Sequence, residues 1–186
     1  MELGTMLSML GSGFAVTLEI FFLTLLGALP LGLLVAFARM SRFKVISLLM
    51  QGYISIMRGT PLMLQLFVIY FGPYYLLRIS ISDSYRFTAT IIAFVLNYAA
   101  YFGEIFRGGI SSIPLGQYEA ASVLGYSRAQ TFGKIVLPQV VKRILPALTN
   151  EVITLVKDTS LAFAIGLAEM FTTAKAIAAS QRTMAA

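Results

Sequence analysis

Four long apolar runs, separated by short polar punctuation, organise this chain. Residues 14–38 carry a single charge, Glu19, and at 1.5 Å per residue a helix of that length reaches roughly 37 Å, enough to cross a bilayer with some tilt. Within the run Ala28, Gly32 and Ala36 recur every four residues, a stripe of small side chains that lets a second helix approach closely. The plainer alternative is chance in a segment rich in Gly and Ala. Residues 45–57 are apolar but too short to span, and Arg58-Gly59-Thr60-Pro61 closes them. Thr60 is placed to be an N-cap and Pro61 the first residue of a new helix over 61–77, so the second crossing is expected in two bent parts. Residues 87–106 form the third run, with Asn97 and Glu104 as its strongly polar members. The fourth, 144–167, is interrupted by Glu151, Lys157 and Asp158. There Asp158-Thr159-Ser160 predicts a break followed by a new N-cap, giving two half-helices with a joint. Broken helices at membrane depth are tolerated where they are buried in protein or line a cavity, which makes this joint a candidate translocation element.

Only Glu2 is charged ahead of the first run, whereas a secretory signal would begin with Lys or Arg and end in a cleavage site, so the segment is expected to be retained. Beyond Glu169 the chain is polar and Ala-rich. No repeat, low-complexity tract or linker divides it. The expectation is a single domain over 1–186: an all-α membrane protein with four spans.

Composition sharpens this. Of 186 residues 58% are hydrophobic and 12% charged, about half the charged fraction of a soluble domain, too little to coat a water-facing surface. With no Cys and no His, thiol and imidazole catalysis, disulfides and Cys/His zinc sites are removed. The net charge of +6 raises the question of nucleic acid, and the positions of the basic residues answer it. Arg39, Arg42 and Lys44 follow the first run, and Arg107, Arg128, Lys134, Lys142 and Arg143 lie between the third and fourth, against Arg78 and Arg86 on the other side. Eight against two sets the orientation by the positive-inside rule: the N-terminus outside, the long polar stretch 107–143 in the cytoplasm. No basic face is interleaved with aromatics, so lipid and protein contacts explain the charge better than nucleic acid does.

In that stretch stand Glu119-Ala120-Ala121, then Gly125, then Ile135 and Leu137-Pro138. This predicts a small-residue helix ended by Gly125, where the turn needs a positive φ, then an apolar segment stopped by Pro138: two short helices parallel to the membrane. Small exposed helices in a loop are docking elements, although an ordinary interhelical connection would look alike.

The spacing resembles the EAA loop of permease subunits from bacterial ABC importers, and every position of that pattern is matched. Arg58-Gly59-Thr60-Pro61-Leu62 with Gln65-Leu66, the run Asn97-Tyr98-Ala99-Ala100-Tyr101 with Glu104 to Ile110, and Lys157-Asp158-Thr159-Ser160-Leu161 are similar to the polar amino acid branch of that family. The resemblance covers roughly 14–182. It implies a pore of two permease subunits, two ATPases contacted through Glu119, Ala120, Ala121, Gly125, Ile135, Leu137 and Pro138, an extracytoplasmic substrate-binding protein, and alternating access driven by ATP. It also implies that ATP and Mg²⁺ are bound by the ATPase, with no cofactor on this chain. The sequence agrees: the only Gly-Lys pair, Gly133-Lys134, is followed by Ile135, and Arg128 occupies the earlier glycine position of a phosphate-cradling loop, so this chain is not expected to be an enzyme. One departure is that members of the branch usually have a fifth, last span, which implies that this chain is shortened at its C-terminal end.

The intramembrane polar residues are the substrate candidates, since a mid-bilayer carboxylate costs roughly 3 kcal/mol or more on insertion scales. Glu151 and Asp158, seven apart, share a helix face with Thr154 between them, and could meet an ammonium group; Asn97 and Tyr101 could complete a polar wall. The alternatives are that Lys157 pairs with one carboxylate and that Asp158 only caps. Arg58, Glu104 and Arg107 are expected near the cytoplasmic ends, to anchor, snorkel or pair there. A channel subunit without an ATPase would share the broken helix and polar lining. An intramembrane enzyme is disfavoured, because the carboxylates stand about two turns, roughly 10 Å, apart.

Overall fold

A computed structural model describes residues 2–184; residues 1, 185 and 186 of the expected single domain lie outside the described residues. It is built of helices: α1 (Leu3–Arg39), α2 (Lys44–Gly59), α3 (Leu62–Leu77), α4 (Tyr85–Ser111), α5 (Leu115–Val123), the one-turn α6 (Arg128–Gln130), a π-helical stretch (Thr131–Val136), α7 (Leu137–Asp158), a 3₁₀ helix (Thr159–Ile165) and α8 (Met170–Met184). Two of these, α1 and α4, are long and apolar enough to cross a membrane unaided. Up to four crossings result if each bent pair counts as one: α2 with α3, meeting at 107°, and the rod Arg128–Ile165 with α8, at 61°.

Helix α4 is the central pillar. Asn97, Tyr98, Ala99 and Ala100 are consecutive and all buried, so the middle of this helix is enclosed on every side, as for a core helix of a bundle. Against it lies the small-residue stripe of α1: Ala28 and Ala36 are fully buried. At Gly32 an added Cβ would stand 2.8 Å from Cβ of Phe102 and 3.1 Å from the Ala99 carbonyl oxygen. The stripe is therefore the seam of α1 with α4, where the missing side chains bring the two backbones together. At the other end of α4 a Cβ on Gly109 would overlap Ile144, which fixes the close approach of α7.

Three breaks differ from the sequence expectation. Thr60 does not cap α3; Pro61 holds the N-cap position, and the Thr60 hydroxyl donates back to the Ile56 carbonyl (2.8 Å), finishing α2. The chain stays helical through Asp158-Thr159-Ser160. The Thr159 and Ser160 hydroxyls donate to the Val156 and Lys157 carbonyls (both 2.8 Å) as α7 tightens into the 3₁₀ turn, so they serve the old helix and start no new one. The joint falls at Gly166, whose φ of +77° suits glycine, and the cap is Glu169. That carboxylate, almost wholly buried, accepts from the backbone N–H groups of Phe171 (2.7 Å) and Thr172 (2.8 Å) at the start of α8. Finally, Pro138 does not stop a separate helix. The π stretch shifts the hydrogen-bond register so that Pro138 lies in the first turn of α7, where no N–H is needed, and the expected second docking helix is the base of the rod.

Candidate functional site

The polar residues of three elements converge on one cavity of about 310 Å³. The corner between α2 and α3 supplies Thr60, Pro61 and Leu62; α4 supplies Asn97, Tyr98 and Tyr101; α7 supplies Glu151, Thr154 and Asp158; Leu161 of the 3₁₀ turn closes it. All five substrate-pathway residues predicted from sequence thus line a single space. Their local roles differ. Asn97 is buried, and its amide nitrogen donates to the Met57 carbonyl (3.0 Å) and to Oε1 of Gln65 (2.9 Å). Gln65 in turn donates to the Met57 carbonyl (2.9 Å) and to the Thr60 hydroxyl (2.8 Å). This knot satisfies backbone carbonyls left open by the 107° corner and fastens it to the midpoint of α4, so Asn97 shapes the wall as well as belonging to it.

Asp158 is neither a cap nor a partner of Lys157. Its Oδ2 accepts from the phenol of Tyr98 (2.7 Å), which is itself buried. Lys157 is exposed, and the side-chain ion pairs among the described residues are Arg86–Asp83 and Arg107–Glu104. Glu151, half-buried, has neither an ion pair nor a hydrogen bond among the described residues, so the most costly group in the cavity is also the one without a partner. Tyr98 was visible in the sequence only as part of a motif; its bond to a residue 60 positions away is a tertiary fact.

Glu104 and Arg107 pair with each other near the Arg39 end, one of the expected alternatives. Arg58 stands in the last turn of α2 and is exposed. Its guanidinium lies over the ring of Tyr101, 5.2 Å from the centroid, because the corner that carries it is tied to the middle of α4. A second cavity, of about 300 Å³, is lined by Met57, Leu64, Val68, Ala93 and Leu96 together with Thr60 and Gln65, which bond to each other in the knot.

At the base of the same rod lies the loop singled out by its spacing. Helix α5 ends in a Schellman turn: Gly125 N–H donates to the Ser122 carbonyl (3.0 Å), Tyr126 N–H to the Ala121 carbonyl (3.0 Å), and Gly125 holds φ +76°. Ser127 and Gln130 then form a capping box that starts the rod. Ala121 is buried, while Glu119, Ala120, Leu137 and Pro138 are exposed and Ile135 is half-buried. Val123 and Leu124, 88% and 73% exposed, form an apolar tip that water does not favour. The loop is tied to the rod by Gln139, which donates to Gln117 Oε1 (3.1 Å), and by Arg143, which donates to the Ser112 carbonyl and hydroxyl.

A family model described as the binding-protein-dependent transport system inner membrane component matches residues 28–185. The nopaline transport system permease protein NocM of Agrobacterium fabrum is 41% identical over 167 residues, covering 87% of this chain and 69% of that protein. The arginine transport system permease protein ArtQ of Bacillus subtilis is 40% identical over 158 residues, covering 85% and 71%. The L-cystine transport system permease protein TcyB of the same organism is 38% identical over 171 residues, covering 91% and 71%. Among solved structures, a crystal structure of an amino acid ABC transporter with histidines superposes with a TM-score of 0.80 at 34% identity, covering 99% of this chain and 92% of that one. An inward-facing structure of the MetNI methionine ABC transporter, at 21% identity and a TM-score of 0.63 over 91% of this chain and 79% of that one, shares the fold.

Proposed function

The chain belongs to the binding-protein-dependent transport system inner membrane component family, and from that premise we propose that it is the membrane-spanning permease subunit of an ATP-driven amino acid importer. In this reading it forms the translocation pathway with a second permease subunit and receives its substrate from an extracytoplasmic binding protein. ATP and Mg²⁺ are bound and ATP is hydrolysed by separate ATPase subunits that dock on α5 and the turn at Gly125. The observation that carries the reading is the rod Arg128–Ile165: its base is fastened to the exposed loop and its upper part carries Glu151, Thr154 and Asp158 into the cavity. A displacement imposed at the loop therefore reaches the cavity through one continuous helical element. Alternating access needs such a link; a passive channel does not. Glu151 and Asp158 supply negative charge for a substrate ammonium group, Thr154 a hydroxyl, Tyr101 a ring, and Asn97 holds the corner in place.

The orientation belongs to the proposal: the N-terminus outside and the Gly125 loop in the cytoplasm of a bacterial inner membrane. Single cysteines at Ser82 and Ser122, both exposed, test it, since the chain has no cysteine of its own. An impermeant thiol reagent is expected to label Ser82→Cys in intact cells and Ser122→Cys only in inverted vesicles. Labelling of both from one side would remove the loop from the ATP side and overturn the docking role.

A further inference from the structure

Three elements leave the cavity toward the side of Ser82: α3 forward from Leu62, α4 backward from Asn97, and the 3₁₀ helix forward from Asp158. Roughly 12–16 Å further on they meet again, at Tyr70, Arg86 and Gly166. The stretches between contribute Leu66, Ala89, Phe94, Ala162 and Ile165, buried with Tyr70 in one apolar cluster that stands as a plug between the cavity and its outer side. The close backbone seams of the fold lie elsewhere, at Gly32 and Gly109. Among the described residues no side-chain hydrogen bond joins α3 to the 3₁₀ helix. Beyond the knot of Asn97 and Gln65, those joining α4 to α3 run from Tyr85 Oη to the Ile69 carbonyl (3.1 Å) and from Arg86 Nε to Tyr70 Oη (3.2 Å). An interface made of side-chain packing can part and re-form without stranding backbone groups, as a hinge or a sliding contact must.

Arg86 sits at the rim of this plug. Its guanidinium donates to Tyr70, pairs with Asp83 (3.0 Å) and lies 3.9 Å from where a Cβ on Gly166 would stand, so one side chain rooted in α4 reaches from α3 to the joint. Asp83 is exposed, and that pair contributes little. The bond to Tyr70, a buried ring stacked on Tyr85, is the one that closes the rim. The Arg86 side chain is itself 38% exposed, so it regains water as soon as the bond opens, and the contact is releasable.

We propose that Arg86 is a positioning residue for transport, the latch that holds the outer side of the cavity shut until substrate is delivered. This rests on the reading of the chain as the permease of an ATP-driven importer. With the latch closed, α3 is held to α4 at the rim, the joint at Gly166 lies beside them, and the plug stays packed. With it open, α3 and the 3₁₀ helix are free to separate from α4 above the cavity, and the rod that carries the 3₁₀ helix passes that movement to the Gly125 loop. ATP hydrolysis at the loop is thus restrained by a contact at the opposite end of the rod. The bond exists only while the outer side is closed, so removing it favours the open state without touching the ATPase.

The complex of permease and ATPase in proteoliposomes tests this, through ATP hydrolysis with and without binding protein loaded with its tightest-binding L-amino acid. In the wild-type complex the loaded binding protein is expected to raise hydrolysis above a low basal rate. Arg86→Met keeps the apolar stem and removes the donor; its basal rate is expected to rise roughly three- to tenfold, while the rate with binding protein stays near wild type. Tyr70→Phe removes the acceptor and is expected to do the same, and the double variant to add little to either, because both break one bond. Arg86→Lys, which keeps a donor, is expected to stay nearer the wild-type basal rate. A single cysteine at Leu161, which closes the cavity, is expected to react faster with an impermeant thiol reagent from the side of Ser82 once Arg86→Met is added. Damage to the fold lowers both rates of hydrolysis; an opened latch raises the basal one. Basal hydrolysis unchanged or lowered in Arg86→Met and Tyr70→Phe, or labelling of Leu161→Cys indifferent to Arg86→Met, overturns the latch and leaves the importer reading standing. If the loaded binding protein does not stimulate the wild-type complex, that reading fails and the latch with it.

Discussion

Replacing Gly125 with leucine is expected to abolish ATP-driven uptake while the permease remains inserted at normal levels. Two hydrogen bonds of the Schellman turn depend on φ +76° at this position. A β-carbon there costs about 1–2 kcal/mol, enough to populate other turn geometries. Among the described residues nothing lies within 4 Å of an added Cβ, so the loss is not internal crowding. It arises because the apolar tip, Val123 and Leu124, is re-aimed and the open space above Gly125, which we assign to the ATPase, is filled. Gly125→Asn separates these causes, because asparagine tolerates the left-handed conformation and adds only a short polar side chain. It is expected to keep a measurable part of the uptake that Gly125→Leu loses. The assay is uptake together with ATPase activity stimulated by the binding protein. Full uptake by Gly125→Leu at wild-type expression would refute the docking assignment.

The second large effect is expected at Glu151. Glutamine keeps the shape of the side chain and removes its charge. If the carboxylate meets a substrate ammonium, the lost charge-assisted contact, about 1.5–3 kcal/mol, reduces transport roughly ten- to hundredfold. The cavity offers Glu151 no ion pair or hydrogen bond among the described residues, so the variant leaves no partner stranded and its thermal stability is expected to stay close to wild type. Lys157→Met provides the control. Were Glu151 held by Lys157, removing both charges would restore what removing one destroys; with Lys157 exposed and in no ion pair among the described residues, the double variant is expected to be as impaired as Glu151→Gln alone. Wild-type uptake by Glu151→Gln would exclude it from the substrate pathway.

These residues also show what a sequence can convey about such a fold. Apolar run length located α1 at its Arg39 end and α4 to within about five residues at both ends, and four-residue spacing identified Ala28, Gly32 and Ala36 as a close seam, because both signals are local and periodic. The terminating glycine of α5 was equally legible, since a Schellman turn is written within six residues. Helical spacing placed Glu151, Thr154 and Asp158 on one face, and they do line one cavity. What could not be read were partners distant in sequence. Asp158-Thr159-Ser160 resembled a cap because capping chemistry is local, whereas the bond from Tyr98 that claims Asp158 depends on the packing of α4 against α7. Glu169, at the far side of a loop, therefore went unrecognised as the cap. Arg58 was legible as a helix-end cation, in the last turn of α2, whereas its place over Tyr101 depends on the knot of Asn97, Gln65 and Met57. The π stretch before Pro138 has no clear signature in composition at all.

The central claim is that this chain moves its substrate only when driven from the Gly125 loop. It is tested most directly in proteoliposomes holding the permease and its ATPase, with the binding protein and a labelled L-amino acid on the side of Ser82 and ATP with Mg²⁺ on the side of Ser122. The account predicts accumulation against the gradient that requires ATP on that side and vanishes when the ATPase is left out. Flux of the amino acid down its gradient through the permease alone, unaffected by ATP, would identify a channel and contradict it.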